Sequence, residues 1–256
     1  MKSSPTLRLI QLTDCHISRN PDDTFYGRNP VDTLKQVIDH IKQHETGIDA
    51  FITTGDISHD ASTESYQHLA EQFALLSAPV ISLPGNHDAN PVFQNTMTSG
   101  ELTTPGHVVL QHWLIILLDS TVPGEEGGRL SDAELSRLRG LLDQYHDKHV
   151  LIAVHHSPVN ISSQWIDSMQ IQNSDALFTL LKPHSHVRGI LYGHIHQDYT
   201  ATHHGIDVLS SPSTCHQFKP ASTDFAIDDI AYGYRWLELS DTGNISTGVT
   251  RIGMGE

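Results

Sequence analysis

Short apolar runs alternate with amphipathic stretches along most of the chain. Leu7–Thr13, Ile48–Thr54, Pro79–Leu83, Val150–Val154 and Val187–Tyr192 are near-continuous apolar runs of the length and composition expected for buried strands. Between the first two, Pro30, Val31, Leu34, Val37, Ile38 and Ile41 recur at the spacing of one helix face behind an N-terminal proline. Thr63–Leu76 and Asp175–Leu181 predict further helices. Ser131–Tyr145 opens on a capping serine with Glu134 three residues later and aligns Leu135, Leu138, Leu141 and Leu142. Val108–Leu110 and Trp113–Leu118 predict a strand pair, and the polar stretch Ala89–Gly106 before them an irregular, partly helical segment. Beyond Asp198 the strands Ile206–Leu209, Tyr232–Leu239 and Ile245–Ile252 follow without intervening helices. The pattern predicts a layered α/β fold, with helices against two sheets or one strongly twisted sheet. For 256 residues the expectation is a single domain over 1–256, its part from about residue 199 rich in strands. Such a tail could pair with a second copy, leaving a homodimer open.

Composition narrows the classes. No apolar run approaches the roughly 18 residues that cross a bilayer, and the polar start Met1–Thr6 is not a secretory signal. With only two cysteines, Cys15 and Cys215, the expected location is the cytoplasm, with reduced thiols. The net charge of −15, from 15 basic and 30 acidic residues, argues against nucleic acid as a partner. It also opposes long-range steering of an anion, unless bound cations invert the field locally. The 19 histidines invite a metal reading but make chance pairs common.

Polar clusters follow directly on five apolar runs, which is where open α/β folds place ligands. Asp14–Cys15–His16 ends the first; on an extended segment Asp14 and His16 would project to one side and Cys15 to the other. Asp147–Lys148–His149 has the same spacing, but it follows a leucine-striped helix and reads as a solvated helix end. Gly55–Asp56 closes the second run, and a carboxylate at that tip could use one oxygen per cation and bridge two ions. His59 and Asp60 could stand behind the ligands, Asp60 fitting a helix start equally well. Gly85–Asn86–His87–Asp88 is the most specific signal. Asn86 offers a neutral oxygen to a metal, His87 lies one residue beyond as a candidate acid, and Asp88 is placed to orient its ring. Of His155–His156, which would face opposite sides of a strand, His155 is favoured as the ligand. Gly193–His194–Ile195–His196 again sets two imidazoles on one side. His184–Ser185–His186 and His203–His204 lack that setting and read as surface pairs. Oxygen and imidazole donors without thiolate suit Mn, Fe or Zn, and seven ligands are too many for one tetrahedral ion. No Gly-x-Gly-x-x-Gly run, P-loop or Gly-x-Ser-x-Gly elbow supports a nucleotide-cofactor, kinase-like or triad-hydrolase reading.

The ordered set Asp14-x-His16, Gly55–Asp56, Gly85–Asn86–His87–Asp88, His155 and Gly193–His194-x-His196 resembles the calcineurin-like metallophosphoesterase family, over residues 7 to about 200. Within it the chain is most similar to the bacterial class III 3',5'-cyclic-nucleotide phosphodiesterases. That similarity includes Leu83–Asp88, Leu117–Asp119–Ser120, His194–Gln197 and Gln217–Phe218–Lys219–Pro220. His155–His156–Ser157–Pro158 departs from the family's usual versions of that segment.

The resemblance implies a four-layer α/β/β/α sandwich with a binuclear centre, Fe and Mn being favoured. Asp14, His16, Asp56 and His196 would hold one ion, and Asp56, Asn86, His155 and His194 the other. Asn86, His87 and His196 would meet the substrate, and His87 would assist the leaving group. The implied reaction is hydrolysis by metal-bound hydroxide of a small phosphodiester, cyclic AMP foremost. Another small diester such as a glycerophosphodiester, or a non-enzymatic metal-binding scaffold of the same fold, is the alternative. Ile17–Asn29, Ala89–Gly106, Val159–Gln170 and Thr214–Pro220 are the expected pocket walls. In the last, Phe218 beside Lys219 could meet a purine and its phosphate, packing and surface roles being equally open.

Overall fold

The computed structural model describes residues 6–88, 92–93, 102–103 and 106–253. In chain order its elements are β1 (Leu7–Leu12), α1 (Pro30–His44), β2 (Ala50–Thr54), α2 (Thr63–Phe73), β3 (Val80–Leu83), β4 (Leu102–Thr103), β5 (His107–Leu110) and β6 (Trp113–Leu117). There follow α3 (Asp132–Gln144), β7 (His149–Val154), α4 (Gln164–Asp167), α5 (Ser174–Leu181), β8 (Val187–Tyr192), β9 (Tyr199–His203) and β10 (Ile206–Ser210). Last come β11 (Gln217–Phe218), β12 (Ile227–Asp228), β13 (Tyr232–Leu239) and β14 (Ile245–Ile252). One sheet has the order β14-β13-β1-β2-β3-β4 and a second β5-β6-β7-β8-β10-β9, while β11 and β12 form a small ribbon.

Alternation along the strands explains why these sheets stack. In β1, Leu7 and Leu9 join Ile52, Trp113, Ile115, Leu151 and Leu209 in a core between the sheets. Ile10 and Leu12 point the other way, to a core shared with Leu34, Val37, Ile38 and Ile41 of α1 and Tyr66 and Leu69 of α2. On the far face of the second sheet, Leu114, Ile116, Val150 and Ile152 meet Leu138 and Leu142 of α3 and Leu177 and Leu181 of α5. Three apolar layers between four structural ones make an α/β/β/α sandwich.

The helix ends follow their sequence signals. Asn29 Oδ1 accepts from the Val31 and Asp32 amides ahead of α1, and Ser131 Oγ accepts from the Glu134 amide ahead of α3. Glu134 does not complete the reciprocal half of that box. Its carboxylate accepts from the Asp119 amide and pairs with Arg137.

β1 to β4 run parallel in the first sheet, and β6, β7, β8 and β10 in the second. The segments leaving the ends of β1, β2, β3, β7 and β8 converge on one edge of the sandwich. The strand-rich tail is divided between the layers: β9 and β10 extend the second sheet, β13 and β14 the first. Both cysteines are buried free thiols, and Cys15 packs into the core beneath α1. No helix among the described residues is long and apolar enough to cross a membrane. Ala89–Gly106 falls almost wholly outside the described residues.

Candidate metal centre

Five loop tips bring their polar side chains into one buried cluster. His16 Nε2 lies 3.3 Å from His196 Nε2 and 4.0 Å from Asp56 Oδ2, and His196 Nε2 is 3.4 Å from Asp14 Oδ1. On the other side of Asp56, its Oδ2 is 3.3 Å from His155 Nε2. That nitrogen lies 3.1 Å from Asn86 Oδ1 and 3.2 Å from His194 Nδ1. The cluster is therefore two adjoining groups that meet at one carboxylate.

Asp14 and His16 do not share a side by extended alternation, as the sequence suggested. Asp14, His16, Asp56, His194 and His196 all take left-handed backbone, with φ of 52°, 50°, 48°, 66° and 49°. The ends of β1, β2 and β8 thus kink sharply and turn their donors over the sheet edge, in a conformation residues other than glycine seldom adopt. The kinks are tied together: the Asp14 amide donates to Gly55 O (3.0 Å), His16 to Asp56 O (2.9 Å) and His194 to the Asp14 carboxylate (3.1 Å). Gly55, at φ 90°, needs glycine for its conformation. Gly85 and Gly193 need it for space, since a Cβ would lie 2.2 Å from Asp56 Oδ1 and from Thr13 Oγ1 respectively.

A directional relay backs the cluster from between the sheets. The Gln11 amide donates to Thr54 Oγ1 (2.8 Å), that hydroxyl to Thr13 Oγ1 (2.7 Å), and the Thr13 hydroxyl to Asp14 Oδ2 (2.7 Å). Each hydroxyl spends its single proton along the line, so Asp14 Oδ1 is left facing His196.

The donors fit a pair of cations. His155 Nδ1–H donates to Thr54 O (2.7 Å) and His196 Nδ1–H to His216 O (2.8 Å), so both Nε2 atoms turn lone pairs inward in the neutral rings. His16 Nδ1 and His194 Nε2 are buried without a hydrogen-bond partner. Burial holds His16 and His194 well below the usual imidazole range, leaving them neutral. Burial also disfavours charge on Asp56, but His155, His87 and His16 outweigh it and keep that carboxyl ionised. The same attraction to Asp56 outweighs burial at His155 and raises its pKa, so a cation held there would displace a proton from His155 Nε2 and free that lone pair. Lone pairs and carboxylate oxygens crowd together here with too few protons among them, a deficit that metal ions supply.

The neighbouring histidines separate cleanly. His156 Nδ1 accepts from Ser120 Oγ (2.8 Å) and its Nε2–H donates to Glu126 O (3.1 Å), so both nitrogens are engaged away from the cluster. Asp88 does not orient His87. Its carboxylate accepts from the Ile57, Ser58 and Gly85 amides and from Tyr66 Oη, while His87 Nδ1–H donates to His59 O at 2.7 Å. Asp60 accepts from the Arg19 and Ser62 amides and joins two loops. Asp147 is exposed, His184 and His186 lie apart from the cluster, and of the last pair His204 is exposed while His203 packs on Phe178.

The chain matches the model of the calcineurin-like phosphoesterases over residues 7–198. It belongs to that family. As a family member it is a metal-dependent hydrolase of the phosphoesterase type, and the cluster is its two-metal site. It is 38% identical over 254 residues, covering 99% of this chain and 93% of the relative, to a protein of Vibrio vulnificus named 3',5'-cyclic adenosine monophosphate phosphodiesterase CpdA. A relative of the same name from Pseudomonas aeruginosa is also 38% identical, over 95% of this chain and 89% of its own length. Among solved structures, a dimetal phosphatase from Danio rerio superposes with a TM-score of 0.63 at 16% identity, covering 96% of this chain and 99% of that one, a likeness of fold alone.

One contributor to this phosphoesterase site escaped the sequence reading. His216 stands with His16 and His196, its nitrogens close enough to theirs to share an ion, and burial beside His196 pushes it down to about 2. Its one signal is membership of Thr214–Pro220, six residues past the end of β10. The site floors a cavity of about 520 Å³ whose lining includes residues of Ile17–Asn29, Val159–Gln170 and Thr214–Pro220.

Proposed function

We propose that the chain hydrolyses 3',5'-cyclic nucleotides, cyclic AMP to AMP, at this centre. One observation carries the reading: the paired donor groups form the floor of a cavity of about 520 Å³, with His87 in its wall. That size suits a small ligand. The name borne by relatives similar along nearly the whole chain supports the choice among small diesters.

In this reading Asp14, His16, Asp56 and His196 hold one ion, and Asp56, Asn86, His155 and His194 the other. Fe and Mn suit these mixed oxygen and imidazole donors, with Zn the remaining candidate. When bound, the two cations supply an acidified water and neutralise charge on the phosphoryl oxygens. Asn86, His87 and His196 meet the phosphate. His87 is fixed through Nδ1 by the His59 carbonyl, which leaves Nε2 for the substrate. In this role His87 gives a proton from Nε2 to the 3'-oxygen as the P–O3' bond breaks, while water adds its hydroxyl to phosphorus and releases its other proton to solvent, leaving a 5'-monophosphate.

The test is a substrate panel on protein loaded separately with Mn, Fe and Zn: cyclic AMP, a glycerophosphodiester, bis(p-nitrophenyl) phosphate and a phosphomonoester. The highest kcat/KM among the natural esters is expected for cyclic AMP. A glycerophosphodiester or monoester hydrolysed more efficiently would overturn the proposal, and metal retention without turnover on any ester would favour a scaffold.

A further inference from the structure

Two of the four exposed large hydrophobic side chains among the described residues, Tyr26 (57%) and Phe225 (49%), face one another at the mouth of the same cavity. Their ring centroids are 5.6 Å apart at 42°. Neither ring is there by default. Phe25 and Arg28 exchange backbone hydrogen bonds of 2.8 and 3.1 Å, closing a two-residue turn with Tyr26 at φ 53° and Gly27 at φ 80°. A turn with positive φ at both central positions favours Asn, Asp or Gly first, so an exposed tyrosine there is strained without gaining burial. Phe225 lies in the loop joining β11 to β12, closed by the Lys219 amide on Ala226 O (2.8 Å). Its ring rests against Trp165 (5.3 Å) and Phe218 (5.7 Å), edge to face.

The two walls are joined. The Arg28 guanidinium donates to Cys215 O and Ile230 O, at 3.0 Å each, tying the Tyr26 turn to the segment that carries Phe225. Both also connect to the metal floor through one intervening ring. Tyr26 lies 5.0 Å from His216, itself 4.7 Å from His196. Phe225 packs on Phe218, which stacks on His196 at 4.0 Å and 14°. One face of Phe218 is thereby committed to His196, so Phe218 supports the floor rather than offering that face to a base.

We infer that Tyr26 and Phe225 form a nucleobase platform: the base of a nucleotide whose phosphate sits over the metal floor stacks on their open faces. An inserted ring would need about 7 Å between them, two contacts of 3.5 Å, so the base lies against the pair rather than between its members. Stacking of this kind accepts any base, because every base offers a π face. The inference rests on the cyclic-nucleotide reading for the identity of its ligand, but it concerns binding and is tested without turnover.

The experiment titrates metal-loaded full-length protein with AMP and with ribose 5-phosphate by calorimetry, for the wild type, Tyr26→Ala, Phe225→Ala and Tyr26→Asn. Wild type is expected to prefer AMP, and each variant to lose about 10-fold of that preference with ribose 5-phosphate affinity unchanged. Tyr26→Asn is the control for folding: asparagine suits the turn, so melting temperature rises while AMP binding falls. Equal losses for both ligands, or no preference for AMP in the wild type, overturn the platform. Wild type that binds AMP in this way yet leaves cyclic AMP intact removes the proposed activity and leaves the platform standing.

Discussion

Replacing Gly85 with alanine would put a methyl carbon 2.2 Å from Asp56 Oδ1, 2.4 Å from the Asp56 amide nitrogen and 2.8 Å from His155 Cε1. Ordinary contact begins near 3.4 Å, so the backbone nitrogen is short by about 1 Å and, unlike a side-chain tip, cannot swing aside. The new carbon is not strained by φ, which makes the clash the whole effect. Overpacking of this order costs about 1–3 kcal/mol, and for a chain of this size Tm falls by about 2–12 °C. The cluster suffers more. Moving Asp56 by about 1 Å misplaces the carboxylate between the two donor groups, a displacement worth about 10²-fold in rate. Gly140→Ala is the matched control, because Gly140 lies in α3 with nothing within 4 Å of its added carbon. It should gain about 0.5–1 kcal/mol from helix propensity. The assay pairs thermal melts with metal content after dialysis and kcat/KM on bis(p-nitrophenyl) phosphate. If Gly85→Ala retained both metals and full kcat/KM, the close approach of the β3 loop to Asp56 would not be what sets the site.

Asn86→Ala or His194→Ala should lower both metal occupancy and turnover by orders of magnitude; unchanged occupancy with full activity would reject the ligand assignment. His87→Ala should keep its metals and lose turnover most for poor leaving groups, and an equal loss across a series of aryl esters would exclude its role as acid. Burial, reinforced by the charge of His155, pushes His156 down to about 3, whereas the unfolded imidazole titrates near 6.5. Between those values the unfolded chain binds more protons, so stability is full above about 6.5 and declines as pH falls toward 3. Urea melts of metal-free protein across that range should show the decline, with a shallower slope for His156→Gln; an unaltered slope would assign the proton uptake elsewhere.

Fold and site differ in how far the sequence exposes them. The strands Val187–Tyr192, Tyr232–Leu239 and Ile245–Ile252 end where their apolar patterning ends, because each buries at least one face against a neighbouring layer. β9 was missed because Tyr199–His203 mixes polar and apolar residues at a sheet edge. β11 and β12, two residues each, are below any periodic signal. α2 stops at Phe73, three residues before its apolar pattern does. In the site, glycine-led tips after apolar runs located Asp56, Asn86 and the His194–His196 pair. How donors meet was not legible, since the left-handed kinks at Asp14, His16, His194 and His196 defeat the alternation rule and no local pattern encodes them. The partner of His87 is a backbone carbonyl, which any residue at position 59 would supply, so the orienting role suggested for Asp88 had no sequence signal against it. His216 reaches the centre only because the chain after β10 folds back beneath His196.

The five left-handed donors carry a thermodynamic consequence. At about 1–2 kcal/mol each, their backbones together oppose folding by an amount comparable with the whole stability of an ordinary domain. The sandwich behind them must absorb that load when the ions are gone. Chelation should therefore loosen this rim first, with amide exchange quickening at residues 14–16, 56 and 193–196 while the β7–β8 ladder stays protected.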